Sequence, residues 1–222
     1  MQQQFTSNRY AQCTLLFLYF FLHSSFVILN SAHAATFKLP DTGQTKCYDP
    51  VTNAELTSCT GTGQDGAYDI NPMSFTDNSD GTVTDNNTGL VWQKCSIGQN
   101  NDASCSGTAT ILNWYLASGT YDPYYNAATL NVCGTLALAG GGWRLPSKKE
   151  LMGIVDFSIA SPGPTIAQGI FPNTINKAYL SSTAYAVVYP DYVWYVTFYG
   201  PSVGYFYKDV DIYYVRCVRG GQ

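Results

Sequence analysis

Charge is scarce in this chain. Asp, Glu, Lys and Arg together make up 12% of its 222 residues, and the eleven basic ones nowhere form a run of five. A phosphate-neutralising surface therefore lacks its raw material, and nucleic acid is not an expected partner. Histidine is scarcer still, with only His23 and His33 present. Both fall in an amino-terminal stretch where Arg9 precedes the apolar run TLLFLYFFLHSSFVIL and Ser31-Ala32-His33-Ala34-Ala35 supplies small residues at cleavage spacing. That is the pattern of a secretory signal peptide, so residues 1–35 are read as one. The run is short for a bilayer span and is broken by His23, Ser24 and Ser25, so no transmembrane span is expected once the signal is removed. The mature chain would then contain no imidazole. Ser-His-Asp, Cys-His and His-metal chemistries drop out together, and neither a metal nor a cofactor is expected.

Aromatic residues, in contrast, reach 15%, with 18 Tyr, 11 Phe and 4 Trp. A chain this aromatic and this weakly charged is expected to fold around a core. Removal of the signal discards Cys13 and leaves Cys47, Cys59, Cys95, Cys105, Cys133 and Cys217, an even set suited to an oxidising compartment. Short loops favour Cys47 with Cys59 and Cys95 with Cys105, which leaves Cys133 for Cys217. No C-x-x-C pair occurs that would favour zinc instead.

Residues 36–64 are rich in Gly, Thr, Asp and Pro without a sustained period, and read as an irregular arm stapled by Cys47 and Cys59. Residues 65–222 read as one domain. It opens with FTDNSDGTVTDNNTGLVWQKC, a strand pair punctuated by Asp80-Gly81 and Asn87-Thr88-Gly89. The acidic loop Asp77–Gly81 has its glycine one place too early for an EF-hand, so turn chemistry is the expectation there rather than calcium. Asp122-Pro123 looks like an N-cap followed by a first-turn proline, which predicts a helix to about Leu138, stopped by Gly140-Gly141-Gly142. A second helix is announced by Ser147-Lys148-Lys149-Glu150, a capping box ahead of Leu151, Met152, Ile154 and Val155. From Tyr179 to Val218 the pattern is of strands. The fold class is therefore α+β, with two helices beside antiparallel strands and disulfides stabilising them.

Ten of the tyrosines lie between Tyr179 and Tyr214. In the strand around Trp194, alternation puts Trp194, Val196 and Phe198 on one face and Tyr195, Thr197 and Tyr199 on the other. The first face is expected to pack and the second to bind, because tyrosine offers a broad, stiff surface with a polar tip. The competing expectation is that tyrosine is there for its β propensity alone.

The run DGTVTDNNTGLVWQKC, the motif GWRLPSKKEL, then FPNT, SST at Ser181–Thr183, the Trp194 strand and the closing YVRCVRGG together resemble the Lcl carboxy-terminal domain family over about residues 65 to 221. The resemblance implies a C-type-lectin-like fold related to that of formylglycine-generating enzyme. It also implies the company of variable proteins of diversity-generating retroelements, in which adenines of a template are miscopied into the 3′ end of the gene; other members are adhesins for sulfated glycans. Randomised adenines in an Asn codon can never yield Lys, Glu, Gln, Met or Trp. Between Ala184 and Tyr213 only Trp194 and Lys208 lie outside the reachable set, so both are expected to be fixed. The variable, ligand-binding positions implied are Tyr185, Val187, Val188, Asp191, Tyr192, Tyr195, Thr197, Tyr199, Pro201, Ser202, Gly204, Tyr205, Phe206, Tyr207, Asp209, Val210, Asp211 and Ile212. Trp92, Trp143-Arg144-Leu145-Pro146, Trp194 and a Cys133–Cys217 bridge would form the frame behind them.

Three functions compete at this point. The first is a non-catalytic ligand-binding protein, secreted or displayed on the bacterial surface, with an unidentified partner that is a protein rather than a glycan. Its aromatic contacts would come from Tyr195, Tyr199, Tyr205, Phe206 and Tyr207, and its acidic rim of Asp191, Asp209 and Asp211 would favour a basic or neutral partner. A fixed glycan-binding adhesin is the alternative, weakened because the face has only Lys208 to meet a polyanion. An enzyme related to formylglycine-generating enzyme would need two reactive cysteines, and all six have expected partners. Calcium-dependent sugar binding would need an acidic ligand that Phe171-Pro172-Asn173 lacks.

Overall fold

The computed structural model describes residues 38–123, 130–186, 189–209 and 212–220. The signal-peptide reading of residues 1–35 lies outside them, as do Val187, Val188, Val210 and Asp211. Among the described residues no helix is long and apolar enough to cross a membrane.

The stapled arm is irregular, as its composition suggests. Among its described residues it has one isolated bridge, Tyr48 with Glu55, and Cys47 is bonded to Cys59; a 3-10 turn over Asp65–Ala67 opens the domain that follows. Two sheets follow. The first is a four-stranded antiparallel sheet in the order β1-β2-β3-β9, built from β1 (Phe75–Asp77), β2 (Thr82–Asp85), β3 (Val91–Gln93) and β9 (Val218–Arg219). The segment expected to give a strand pair thus gives three strands, because Asp85–Gly89 makes a second turn. Asp85 is buried and accepts from the amides of Asn87 and Thr88 and from the Thr88 hydroxyl. At the first turn Asp77 accepts from the Ser79 amide and from Lys94 Nζ at 2.7 Å, Asp80 accepts from Thr82, and Gly81 takes a φ of 86° that favours glycine. The acidic oxygens there close turns.

The second sheet has five strands in the order β4-β8-β5-β6-β7: β4 (Ile111–Leu112), β5 (Ala178–Ala186), β6 (Tyr189–Thr197), β7 (Ser202–Tyr207) and β8 (Tyr213–Tyr214). Its pairings are antiparallel except for the contact of β5 with β8. Two short helices pack against it, α1 (Trp114–Ser118) and α2 (Lys148–Met152). The structure is therefore α+β with predominantly antiparallel strands.

The helix expected from Asp122 to Leu138 is not found in its described part. Residues 130–138 form turns, Asp122 sits in a bridge, and 124–129 lie outside the described residues. The helix stands earlier, at α1, where the Asn113 side chain accepts from the Leu116 amide and Gly119, at φ 76°, closes the end. The second helix appears where its capping box puts it. Ser147 Oγ accepts from the Glu150 amide at 3.2 Å and Glu150 Oε2 accepts from the Ser147 amide at 2.6 Å.

Glu150 also receives both arms of the Arg144 guanidinium, at 2.9 and 2.6 Å. Burial pushes the Glu150 carboxyl up, but the hydrogen bonds from Arg144 and Ser147 outweigh it and hold the group below its ordinary value. A lowered folded-state pKa contributes stability that is complete above the unfolded value, about 4.3, and is lost as pH falls through the folded one. Glu150→Gln is accordingly expected to lower stability at neutral pH by about 1 kcal/mol, discounted for the partly exposed Arg144, and to lessen the loss below about pH 4. Chemical denaturation at a series of pH values checks both.

The Cys95–Cys105 bond forms as its short loop favours, and Cys133–Cys217 is the pair that the two short loops leave. Two buried clusters share the interior. One gathers Trp92, Leu151, Phe171, Tyr179, Val196 and Phe198, and the other gathers Trp114, Trp143, Leu180, Val193, Phe206 and the Cys133–Cys217 bond. Trp92 and Trp143 are thus frame residues, as expected.

Candidate ligand-binding face

Strand β6 is covered differently at its two ends, and this creates the site. By alternation Tyr192, Trp194 and Val196 point to one side of the sheet and Val193, Tyr195 and Thr197 to the other. On the first side α2 covers the carboxy-terminal half, where Val196 and, just beyond the strand, Phe198 are buried in the cluster that contains Leu151. The helix begins at Lys148, and past it that side of the sheet opens. On the second side Val193 and Phe206 are buried with Trp114 in the cluster beneath α1.

The open half carries a continuous group of aromatic rings. The β6–β7 register pairs Tyr192 with Tyr207 and Trp194 with Tyr205, so cross-strand neighbours meet on one face. Ring centroids lie 4.1 Å apart for Tyr192–Tyr207 and 5.6 Å for Tyr192–Tyr205. From β5, Tyr185 approaches Tyr205 to 4.4 Å and Trp194 to 5.1 Å, and Tyr189 closes the group at 5.8 Å from Tyr192. These rings are not core. Tyr189, Tyr205 and Tyr207 are 54%, 53% and 45% exposed, whereas Val193 and Val196 on the same sheet are fully buried.

The Lcl C-terminal domain family matches residues 81–219, more than half of the chain. The chain belongs to the Lcl C-terminal domain family. No curated protein and no solved structure matches it.

Within this Lcl domain the positions implied for binding divide into groups. Tyr185, Tyr192, Tyr205 and Tyr207 come together on the open face. Tyr195 does not: its ring turns inward, stacked on Tyr213 at 5.5 Å and against Phe206, and a Cβ on Gly204 would come within 2.4 Å of its hydroxyl. Phe206 is 3% exposed and belongs to the core. Trp194, expected to pack with Val196, is half-exposed among the tyrosines instead. The expected assignment of faces is thus reversed at Trp194 and Tyr195, whereas Val196 and Phe198 pack as expected, in the cluster that contains Leu151. Asp191, Thr197, Ser202 and Gly204 share the side of Tyr195 by alternation. Tyr199 and Pro201 lie at the β6–β7 turn, with Tyr199 exposed, while Asp209 is half-buried and Ile212 exposed in the segment after β7.

Two contributors lie outside the positions implied for binding. Tyr189 belongs to the tyrosine-rich region and closes the group of rings. Lys148 comes from α2, and its ammonium sits 3.7 Å from the centre of the Trp194 ring. Lys208, the cation expected on the face, is turned away: its amide donates to the Asp191 carbonyl, its ammonium to the Pro190 carbonyl, and it lies over Trp114.

The Tyr192 hydroxyl is pushed up to about 12, first by its hydrogen bond with Tyr207, then by burial against the group and by Tyr207, Tyr205 and Tyr189 themselves. The Tyr192 phenol therefore stays uncharged well above neutral pH. Ultraviolet titration is expected to show Tyr192 ionising late, and Tyr207→Phe to move it back toward 10.

Proposed function

We propose that this protein is an exported, non-catalytic ligand-binding protein whose aromatic face is diversified by retroelement-driven adenine mutagenesis on a C-type-lectin-like frame, and that it acts secreted or at the bacterial surface. The observation that carries this reading is the open half of the second sheet. Four of the implied variable positions, Tyr185, Tyr192, Tyr205 and Tyr207, lie side by side there, outside both buried clusters. Rings with exposed edges and polar tips suit the capture of a protein surface, since they bury large areas with few rotatable bonds. Membership of the Lcl C-terminal domain family supports a binding rather than a chemical role. With its six cysteines paired and its leader removed, the chain would have neither thiol nor imidazole for catalysis.

The reading is tested in the gene. The DNA beside it is expected to hold a near-copy of the 3′ end differing at adenines, close to a reverse-transcriptase gene. Sister copies are expected to differ at codons 185, 192, 205 and 207 and to agree at Trp194, Lys208 and the buried Val193 and Val196. A locus lacking both template and reverse transcriptase, with those four codons invariant, would favour a fixed adhesin.

A further inference from the structure

The charge on the open face differs from that expected of the tyrosine-rich segment. Alternation puts Asp191 on the opposite side of β6, and Lys208 is held by the Pro190 carbonyl and Trp114. The cation that reaches the rings is Lys148, delivered by the frame. Its backbone amide donates to Thr183 Oγ1 at 2.9 Å, which ties the start of α2 to β5, and its ammonium rests on Trp194. The ion pairs among the described residues are Lys46–Glu55, Lys94–Asp77 and Arg144–Glu150, so Lys148 has no carboxylate partner among them. An ammonium laid on an indole is positioned and dried on one side while its other N–H bonds still point outward. Trp194 is also a residue that adenine randomisation of an Asn codon cannot create, and Lys148 lies outside the tyrosine-rich segment.

We infer that Lys148 on Trp194 is a fixed anion-binding point within the aromatic face, taking the carboxylate of an acidic side chain on a protein partner while the surrounding tyrosines make apolar and hydroxyl contacts. The inference rests on the reading of this face as a binding surface. It replaces the basic or neutral partner expected from the aspartates of the segment with an acidic one. A charge-assisted hydrogen bond from a preorganised ammonium would give every variant the same first contact, and the variable rings would then decide among acidic partners.

The test is selection of random displayed peptides on the full chain, in four forms: unaltered, Lys148→Met, Lys148→Arg and Lys149→Met. Methionine keeps the stem against the indole and removes the charge, arginine keeps the charge, and Lys149 is an exposed neighbour on the same helix. Peptides retained by the unaltered chain and by Lys149→Met are expected to carry Asp or Glu beside an apolar residue about threefold above the starting pool, corresponding to roughly 0.7 kcal/mol. The excess is expected to persist with Lys148→Arg and to vanish with Lys148→Met, whose thermal unfolding is measured in parallel to show a folded protein. Retained peptides without acidic excess, or an excess that survives in folded Lys148→Met, would overturn the inference and leave the binding reading standing. No retained peptide in any form would count against both. Retention on a glucuronate polymer in place of peptides would overturn the protein partner.

Discussion

Replacing Cys133 and Cys217 together by serine is expected to remove about 4–5 kcal/mol of stability, enough to abolish cooperative folding in many domains of this size. The two residues are 84 apart in sequence, and both sulfurs are fully buried among Trp143, Leu145, Val193 and Val215. The bond therefore closes a loop that spans α2, β5, β6 and β7, the elements that build the binding face. The contrast is the Cys47–Cys59 pair, which closes a loop of 12 in an arm with little regular structure. By loop length alone its loss costs about 3 kcal/mol, and most of that is expected to loosen the arm without unfolding the sheets. Circular dichroism melts of the two double-serine variants separate these outcomes. Loss of the near-ultraviolet signal is predicted for the long-range pair alone.

The second large effect concerns Arg216, a fully buried guanidinium. It donates to the carbonyls of Gln93 at 3.4 Å and Lys94 at 2.6 Å and to Thr174 Oγ1 at 2.8 Å, and it lies over the rings of Phe171 and Tyr179. Burial pushes its pKa down, partly opposed by Tyr179. Through these contacts one side chain joins β3, the 171–177 connection and the strand that carries Tyr179. Arg216→Ala is expected to cost about 3–5 kcal/mol, since it opens a cavity and leaves buried carbonyls without donors. Arg216→Met is expected to cost about 2 kcal/mol less than alanine, because it fills the space and removes the burden of a desolvated charge. Equal losses in urea unfolding would mean that the hydrogen bonds, and not the volume, carry the effect.

What was legible in the sequence follows the range over which each signal acts. The capping box at Ser147–Glu150 is closed by groups three residues apart, and it appears as read. Two cystine pairs follow loop length, and Cys133–Cys217 is the pair that they leave. Asp122-Pro123 was a valid local signal for a helix start, but the glycine and asparagine that follow favour turns, and at 131–134 the Asn131 side chain accepts from the Gly134 amide. The helix that does form is flanked by Asn113 and Gly119, a cap at each end that five residues of Trp-Tyr-Leu-Ala-Ser did not make conspicuous. In β6, alternation correctly grouped Trp194 with Val196 and Tyr195 with Thr197. It could not say that α2 stops at Lys148 and leaves Trp194 open, or that Tyr195 would cross Gly204 to reach Tyr213. Burial depends on elements distant in sequence, and so does the arrival of Lys148.

The open aromatic face is separable from the frame that holds it. Saturation mutagenesis of residues 185–207 in a displayed form of the chain, scored by resistance to protease, tests this most directly. Substitutions at Tyr185, Tyr189, Tyr192, Tyr205 and Tyr207 are predicted to cost a median of about 1 kcal/mol or less, and those at Val193, Val196, Phe198 and Phe206 about 2–4 kcal/mol. Tyrosines as intolerant as the four buried positions would contradict it, because the rings would then be holding the fold together.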